Sequence, residues 1–157
     1  MPIILGIDPG SRITGYGVIR ADRQRHEYLA SGCFRLQAKT LPERLCQIHE
    51  GIAEIIQTYC PETGAIEEVF FHENPNTALK LGHARGTAIA AMALHALPVA
   101  EYSARQVKKT IVGYGAAKKE QVQHMVKTLL NLSGVPQVDA ADALAIALCH
   151  AFHGAKI

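Results

Sequence analysis

The chain has 157 residues, enough for one ordinary domain spanning 1–157 that needs no disulfide or structural metal to hold it. Sixteen Lys and Arg against fourteen Asp and Glu leave a net charge of +2, which excludes a histone-like polycation. A hydrophobic content of 48% with 19% charged residues excludes intrinsic disorder. Ile3 to Asp8 is a short apolar run that predicts a strand, ended by an Asp-Pro-Gly turn signal. Ile13 to Arg20 predicts a second strand and Tyr28 to Leu36 a third. The short connections between them argue for an antiparallel meander. The period then changes. Leu45, Ile48, Ile52, Ile55 and Ile56 recur at helical spacing within Leu41–Tyr59, with Thr40 as the cap, Glu43 three residues on and Pro61 as the stop. Gly64 to Phe71 predicts a buried strand carrying Glu67 and Glu68. Thr77 to Leu97 predicts a long Ala-rich helix stopped by Pro98, and Val99 to Tyr102 a short strand. A helix from Ser103 or Ala104 to Val112, an amphipathic helix from Lys118 to Leu130, and a last helix from Asp139 to about Phe152 complete the chain. The last is almost wholly apolar and is expected to be buried. Strands first, then strand–helix alternation, predict a mixed sheet with helices on its faces.

The four cysteines (Cys33, Cys46, Cys60, Cys149) have no metal-knuckle spacing and read as reduced thiols of a cytosolic protein. The start lacks a basic region and has only a short apolar run, so no signal peptide is expected. No segment reads as a transmembrane helix, and the expected location is cytoplasmic, with no membrane partner.

Ten of the acids are Glu and only four are Asp: Asp8, Asp22, Asp139 and Asp142. Asp8 ends an apolar strand at a sheet edge, where sites collect in α/β folds, although a turn former is the ordinary reading. Glu67 and Glu68 face opposite ways on their strand, and position parity alone leaves open which one points to the core edge. Asp139 and Asp142 are i and i+3 on one helix, with Cβ atoms about 5–6 Å apart on one face. Asp139 reads equally as a helix cap. Asp142 lies among Ala and Leu, where a lone carboxylate is costly and a second one worsens the cost unless a cation sits between them. Oxygen-only ligands suit Mg2+ or Mn2+ rather than zinc. The eight histidines show no zinc spacing and read as surface or helix-end residues, and whether His150 or His153 lies near the site is left open.

Five stretches in order carry a resemblance over essentially the whole chain: Ile-Leu-Gly-Ile-Asp8-Pro-Gly-Ser with Thr14-Gly-Tyr-Gly-Val; Ala65-Ile-Glu67-Glu-Val-Phe70; Ala78-Leu-Lys80-Leu-Gly-His-Ala-Arg85-Gly; Tyr102-Ser-Ala-Arg105-Gln-Val-Lys108; and Asp139-Ala-Ala-Asp142-Ala-Leu-Ala. The chain resembles the RuvC Holliday-junction resolvases. The resemblance implies an RNase H-like fold, a five-stranded mixed sheet flanked by helices. It implies a homodimer that nicks two strands of a four-way DNA junction symmetrically, acting with the branch-migration proteins RuvA and RuvB. It assigns catalysis and metal binding to Asp8, Glu67, Asp139 and Asp142, and so selects Glu67 over Glu68. Two Mg2+ ions about 3.5–4 Å apart would clamp an in-line hydrolysis there, with Mn2+ able to substitute. It further implies DNA contacts from Phe70, Asn74, Lys108 and Lys119, and a dimer interface on the Ala-rich helix around Thr77 to Leu94. His72 and Glu73 depart from the basic or small residues that relatives carry, against a phosphate contact from that loop.

Two other readings compete. Asp8-Pro-Gly-Ser with Gly15 resembles the phosphate loop of actin-like and sugar-kinase folds, but no second loop or second lobe is present. A non-catalytic module for branched DNA is the other, and four carboxylates argue against it. The charge is also segregated. Residues 41–73 carry one basic and seven acidic side chains, whereas residues 80–127 carry eight and two. Phosphate attraction is therefore expected from the second stretch, with affinity that falls steeply with salt.

Overall fold

The computed structural model describes residues 1–68 and 74–155. Strand β1 (Ile3–Asp8) is apolar on both sides. Leu5 and Ile7 join one core and Ile4 the other, so β1 lies inside a sheet covered on both faces. Strand β2 (Ile13–Ala21) runs antiparallel to β1 and sets Gly15 opposite Asp8. Strand β3 (His26–Arg35) runs antiparallel to β2, which makes the expected meander. Helix α1 (Leu41–Tyr59) follows, its first turn capped by the Thr40 hydroxyl, which accepts from the Glu43 N–H at 3.4 Å. Strand β4 (Thr63–Glu67) then enters parallel to β1, and β5 (Val99–Tyr102) parallel to β4. Among the described residues the strand order is β3-β2-β1-β4-β5, the mixed five-stranded sheet expected.

Helices α1 and α2 (Pro75–Leu94) cover the face that carries Leu5, Ile7, Val18 and Ile66. Helices α3 (Ala104–Val112), α4 (Lys119–Leu129) and α5 (Val138–Phe152) cover the other. Every α5 residue from Ala140 to Ala151 is buried except Asp142. Two glycines set how close α5 lies. A Cβ on Gly6 would stand 2.2 Å from the Ala143 carbonyl oxygen, and one on Gly15 would stand 2.1 Å from that of Asp139. Only glycine permits this approach, which brings the first turns of α5 over the end of β1.

Several boundaries differ from expectation by a residue or two, and three of the differences bear on the site and its flanking helices. Helix α2 stops at Leu94, before Leu97. Ala96 turns left-handed (φ 59°) and donates to Ala93, and Leu97 donates to Met92. This Schellman closure ends the helix, and Pro98 only follows it. Helix α5 is capped by Gln137, whose side chain accepts from the Ala140 N–H at 3.0 Å, so Asp139 is a first-turn residue and not the cap. Strand β4 ends at Glu67, so Glu68 lies beyond it. Residues 69–71 of that expected strand lie outside the described residues. The four cysteines are free thiols. Among the described residues, no helix is long and apolar enough to cross a membrane.

Candidate active site

Strand alternation places the acids. Ile4 packs on the α5 face and Gly6 meets Ala143 there, so Asp8, two residues on, points to the same side. Ala65 packs on the α5 face and Ile66 on the other, so Glu67 turns toward α5 and Glu68 away from it. Asp139 and Asp142 reach down from the first turns of α5. The result is one cleft lined by Asp8, Glu67, Asp139 and Asp142, with Lys108 of α3 and Lys119 at the start of α4 beside them. Val107, Val122 and Ile146 supply its apolar lining. Glu68 is exposed outside it.

The side chains are held by local bonds. Gln137 Nε2 donates to Asp139 Oδ2 at 2.6 Å. Lys119 Nζ lies 3.5 Å from Asp142 Oδ2. Burial, then repulsion from Glu67, Asp142 and Asp139, pushes the Asp8 carboxyl well above the ordinary carboxylate value, and Lys119 opposes this. Glu67 is raised by burial and by Asp142, while Lys119, Lys108 and a hydrogen bond with Asp8 hold it down. Asp142 is raised chiefly by burial and held down by Lys119. Three acids in one cleft thus resist ionisation. Asp8 is raised furthest, and its hydrogen bond with Glu67 favours the Glu67 carboxylate.

Buried carboxylates that repel one another mark where a cation would lower the energy. The all-oxygen donor set fits a hard divalent cation. In position, the acids line the cleft without closing on one point. No three His, Cys, Asp or Glu side chains among the described residues stand close enough together to hold a metal ion as placed. The fit is therefore one of donor chemistry, with side-chain rotation left to complete the coordination.

Of the other expected contacts, Lys108 and Lys119 stand in the cleft. Asn74 is the cap of α2: its side-chain oxygen accepts from the Asn76 and Thr77 N–H groups at 3.0 and 3.4 Å. Phe70, with Phe71, His72 and Glu73, lies outside the described residues. The turn after Asp8 closes on itself, since the Thr14 hydroxyl donates to the Gly10 carbonyl and sits 3.3 Å from the Gly10 N–H. The Gly10 amide is thereby taken up within the turn. A second cleft, between α1 and α2, is lined by Leu36, Leu45, Ile48 and Leu79 and holds none of the four acids. Arg85 lies in one of the stretches that carry the resemblance, but the sequence alone assigns it no role. Its Nε donates to the Glu67 carbonyl at 3.1 Å and its guanidinium pairs with Glu101. The signal for it was a lone Arg within the Ala- and Gly-rich stretch of α2.

His150 and His153 do not join the acids, a point the sequence left open. His150 is buried rather than at the surface, and it bonds Thr63 at the start of β4, whereas Glu67 ends that strand. The Thr63 hydroxyl gives its proton to the Pro98 carbonyl, so it accepts from His150 Nε2–H. Nδ1 then accepts from the Tyr102 hydroxyl at 2.7 Å. Burial, and secondarily His153, lowers the His150 value, so the fold holds it neutral. The unfolded chain then binds more protons, and this contribution to stability is lost as pH falls below the ordinary value of 6.5. Between about pH 7.5 and about 5.5 the urea midpoint of the parent is expected to drop relative to that of His150→Gln. A gap between the two proteins that stays constant with pH would contradict it.

Comparison with known proteins agrees with the geometry. A family model described as crossover junction endodeoxyribonuclease RuvC matches residues 4–150. A curated relative of that name from Tolumonas auensis is 63% identical over 150 residues, covering 96% of this chain and 87% of the relative. The solved structure of Thermus thermophilus RuvC superposes with a TM-score of 0.87 at 35% identity, covering 96% of this chain and 94% of that one. The same protein in complex with a Holliday junction substrate gives 0.91 at 35% identity, covering 98% and 94%. A yeast mitochondrial Holliday junction resolvase, 12% identical with a TM-score of 0.64, shares the fold. With the sheet order, the acid cleft and these matches in agreement, the chain belongs to the RuvC family of crossover junction endodeoxyribonucleases.

Proposed function

We propose that this chain resolves four-way DNA junctions by divalent-metal-dependent hydrolysis, with Asp8, Glu67, Asp139 and Asp142 as its catalytic, metal-holding acids. The observation that carries the reading is the meeting of four carboxylates and two lysines in one cleft, from β1, β4, α3, α4 and α5. Bound Mg2+, or Mn2+ in its place, would supply a more acidic water and charge neutralisation at the leaving oxygen. The chain's own groups do the rest. Asp8, on the inner strand β1, would help to hold the metal. Glu67 faces Asp8 from β4. Asp139, fixed by Gln137, and Asp142 close the other side from one helix face. Lys108 and Lys119 offset phosphate charge at the rim. Nuclease activity needs the acids ionised, and a bound cation would offset the burial and mutual repulsion that raise Asp8, Glu67 and Asp142.

A homodimer through α2 belongs to the same proposal. Leu79 and Leu94 are 62% and 75% exposed on that helix. Gly82 and Gly86 lie mid-helix, where glycine costs about 1 kcal/mol against alanine, yet a Cβ at either would meet nothing within 4 Å. Small residues that the chain itself does not need fit close approach by a second copy. Two copies place two clefts on one junction, which suits paired nicks. RuvA and RuvB as partners, and a cytoplasmic location, follow from the family reading.

A synthetic four-way junction tests the proposal. With Mg2+ the protein is expected to nick two strands at symmetry-related positions and to leave a linear duplex of the same sequence intact. A chelator is expected to abolish cleavage. A gel shift with no cleavage under any divalent metal would instead make the chain a junction-binding module.

A further inference from the structure

Arg85 touches a residue of the cleft, and the proposed function does not use it. It sits on α2 beside Gly86, and its side chain is only 19% exposed. Its target is a backbone atom, and the sheet explains why. Gly64 donates to Pro98 and Glu68 donates to Tyr102, so alternate residues of β4 bond β5, and Glu67 turns its own backbone toward β1. The register pairs Ile7 with Ile66. Continued by one step, it calls on residue 9 to donate to the Glu67 carbonyl. That residue is Pro9, which has no N–H. The ladder therefore fails at the residue that carries a catalytic acid. Arg85 Nε fills the gap at 3.1 Å, and Glu101, opposite Ile66 on β5, holds the guanidinium in place.

We infer that Arg85 is a positioning residue: it replaces the backbone donor that Pro9 cannot supply, and so fixes the end of β4 and the aim of Glu67 from the helix proposed to face a second subunit. The inference rests on the proposed function for the role of Glu67. The contact itself does not depend on that reading. A guanidinium held by a carboxylate on one side and a carbonyl on the other is rigid. A loose strand end would let Glu67 and Glu68, which are neighbours facing opposite ways, exchange aim.

The test uses the full chain with Arg85→Met, Arg85→Lys, Pro9→Ala and the Pro9→Ala/Arg85→Met double variant. Arg85→Met is expected to lower kcat on the junction roughly 10- to 100-fold, as loss of a group that orients a metal ligand does. Junction affinity without divalent metal, and dimer mass by light scattering, should stay within about twofold of the parent. Arg85→Lys keeps the charge for Glu101 and should fall between the two. Pro9→Ala restores an N–H facing the Glu67 carbonyl. The loss caused by Arg85→Met should then be less than about one-third as large in the Pro9→Ala background as in the parent. An Arg85 that merely stabilises α2 would show equal losses in both backgrounds, and that result overturns the inference. Hydrogen exchange reads the same contact without activity. The Glu68 amide, which donates to Tyr102, should exchange at least about tenfold faster in Arg85→Met, with β1 unchanged. If the parent fails to cut the junction, the proposed function falls. Unchanged Glu68 exchange overturns the placement of Arg85 on its own.

Discussion

Asp8→Asn is expected to lower junction cleavage by at least about 10³-fold while making the fold more stable near neutral pH. Both effects have one cause. Asp8 ends the inner strand β1, and the chain buries it among Glu67, Asp139 and Asp142. Its folded pKa lies well above the unfolded 3.8. A raised carboxylate contributes stability only while protonated. That contribution is complete below the unfolded value and is lost as pH rises through the folded one. At neutral pH the ionised Asp8 therefore costs stability. Asparagine keeps the shape and can still donate to Glu67, but it carries no charge to desolvate and none for a divalent cation to neutralise. Urea unfolding of parent and variant without divalent metal should show the variant's advantage growing from acid to neutral pH. Added Mg2+ should raise the parent's midpoint and leave the variant's nearly unchanged, because the cation binds the folded acids. Junction affinity should remain within a few-fold, since the positive charge outside the cleft is untouched. Parental cleavage rates from Asp8→Asn would remove Asp8 from the site.

This opposition between activity and stability also explains what could be read in the sequence. The strands β1 and β5 and helix α3 fall at their expected bounds, because each has a clean period and a strong punctuation: Asp-Pro-Gly, Pro98, and the Ser103–Gln106 capping box. Asp142 betrayed itself as a carboxylate one turn into a buried alanine-rich helix. Glu67 against Glu68 stayed ambiguous to parity alone. An alternating pattern fixes which residues share a face, but Ala65 and Ile66 are both buried, so neither labels its face as the one that meets α5. Only the packing of α5 on Gly6 and Gly15 supplies that label. The Gln137 cap was hidden for a related reason: Asp139 is the better capping residue by type, and it lost the position because its side chain is turned into the cleft. Arg85 was the least legible. Its partner is a carbonyl exposed by a proline on a third element, and no local pattern records such a gap between strands.

The paired substitution Lys108→Met/Lys119→Met is expected to cost cleavage about 10²- to 10³-fold with little change in folding stability. Lys119 is 64% exposed and its contact with Asp142 is 3.5 Å, so as a surface ion pair it contributes little to the fold. Its effect is on the site. Lys119 and Lys108 both hold the Glu67 and Asp142 carboxyls toward ionisation. Removing them strengthens the proton's hold on those acids. The same two ammonium groups are the only basic side chains lining the cleft among the described residues, so they are also placed to meet the phosphate that enters it. Two measurements separate these roles. If both lysines contact phosphate, the slope of log affinity against log salt should shrink by about 2 in the double variant. If they act on the acids, raising the pH should recover part of the lost rate, because fewer protons then sit on the carboxylates. Lys119→Arg preserves the charge and should retain most of the activity that Lys119→Met loses. A double variant with the parent's salt slope and the parent's rate would reduce both lysines to solvated charges on helix faces, and the cleft's chemistry would then rest on the four carboxylates alone.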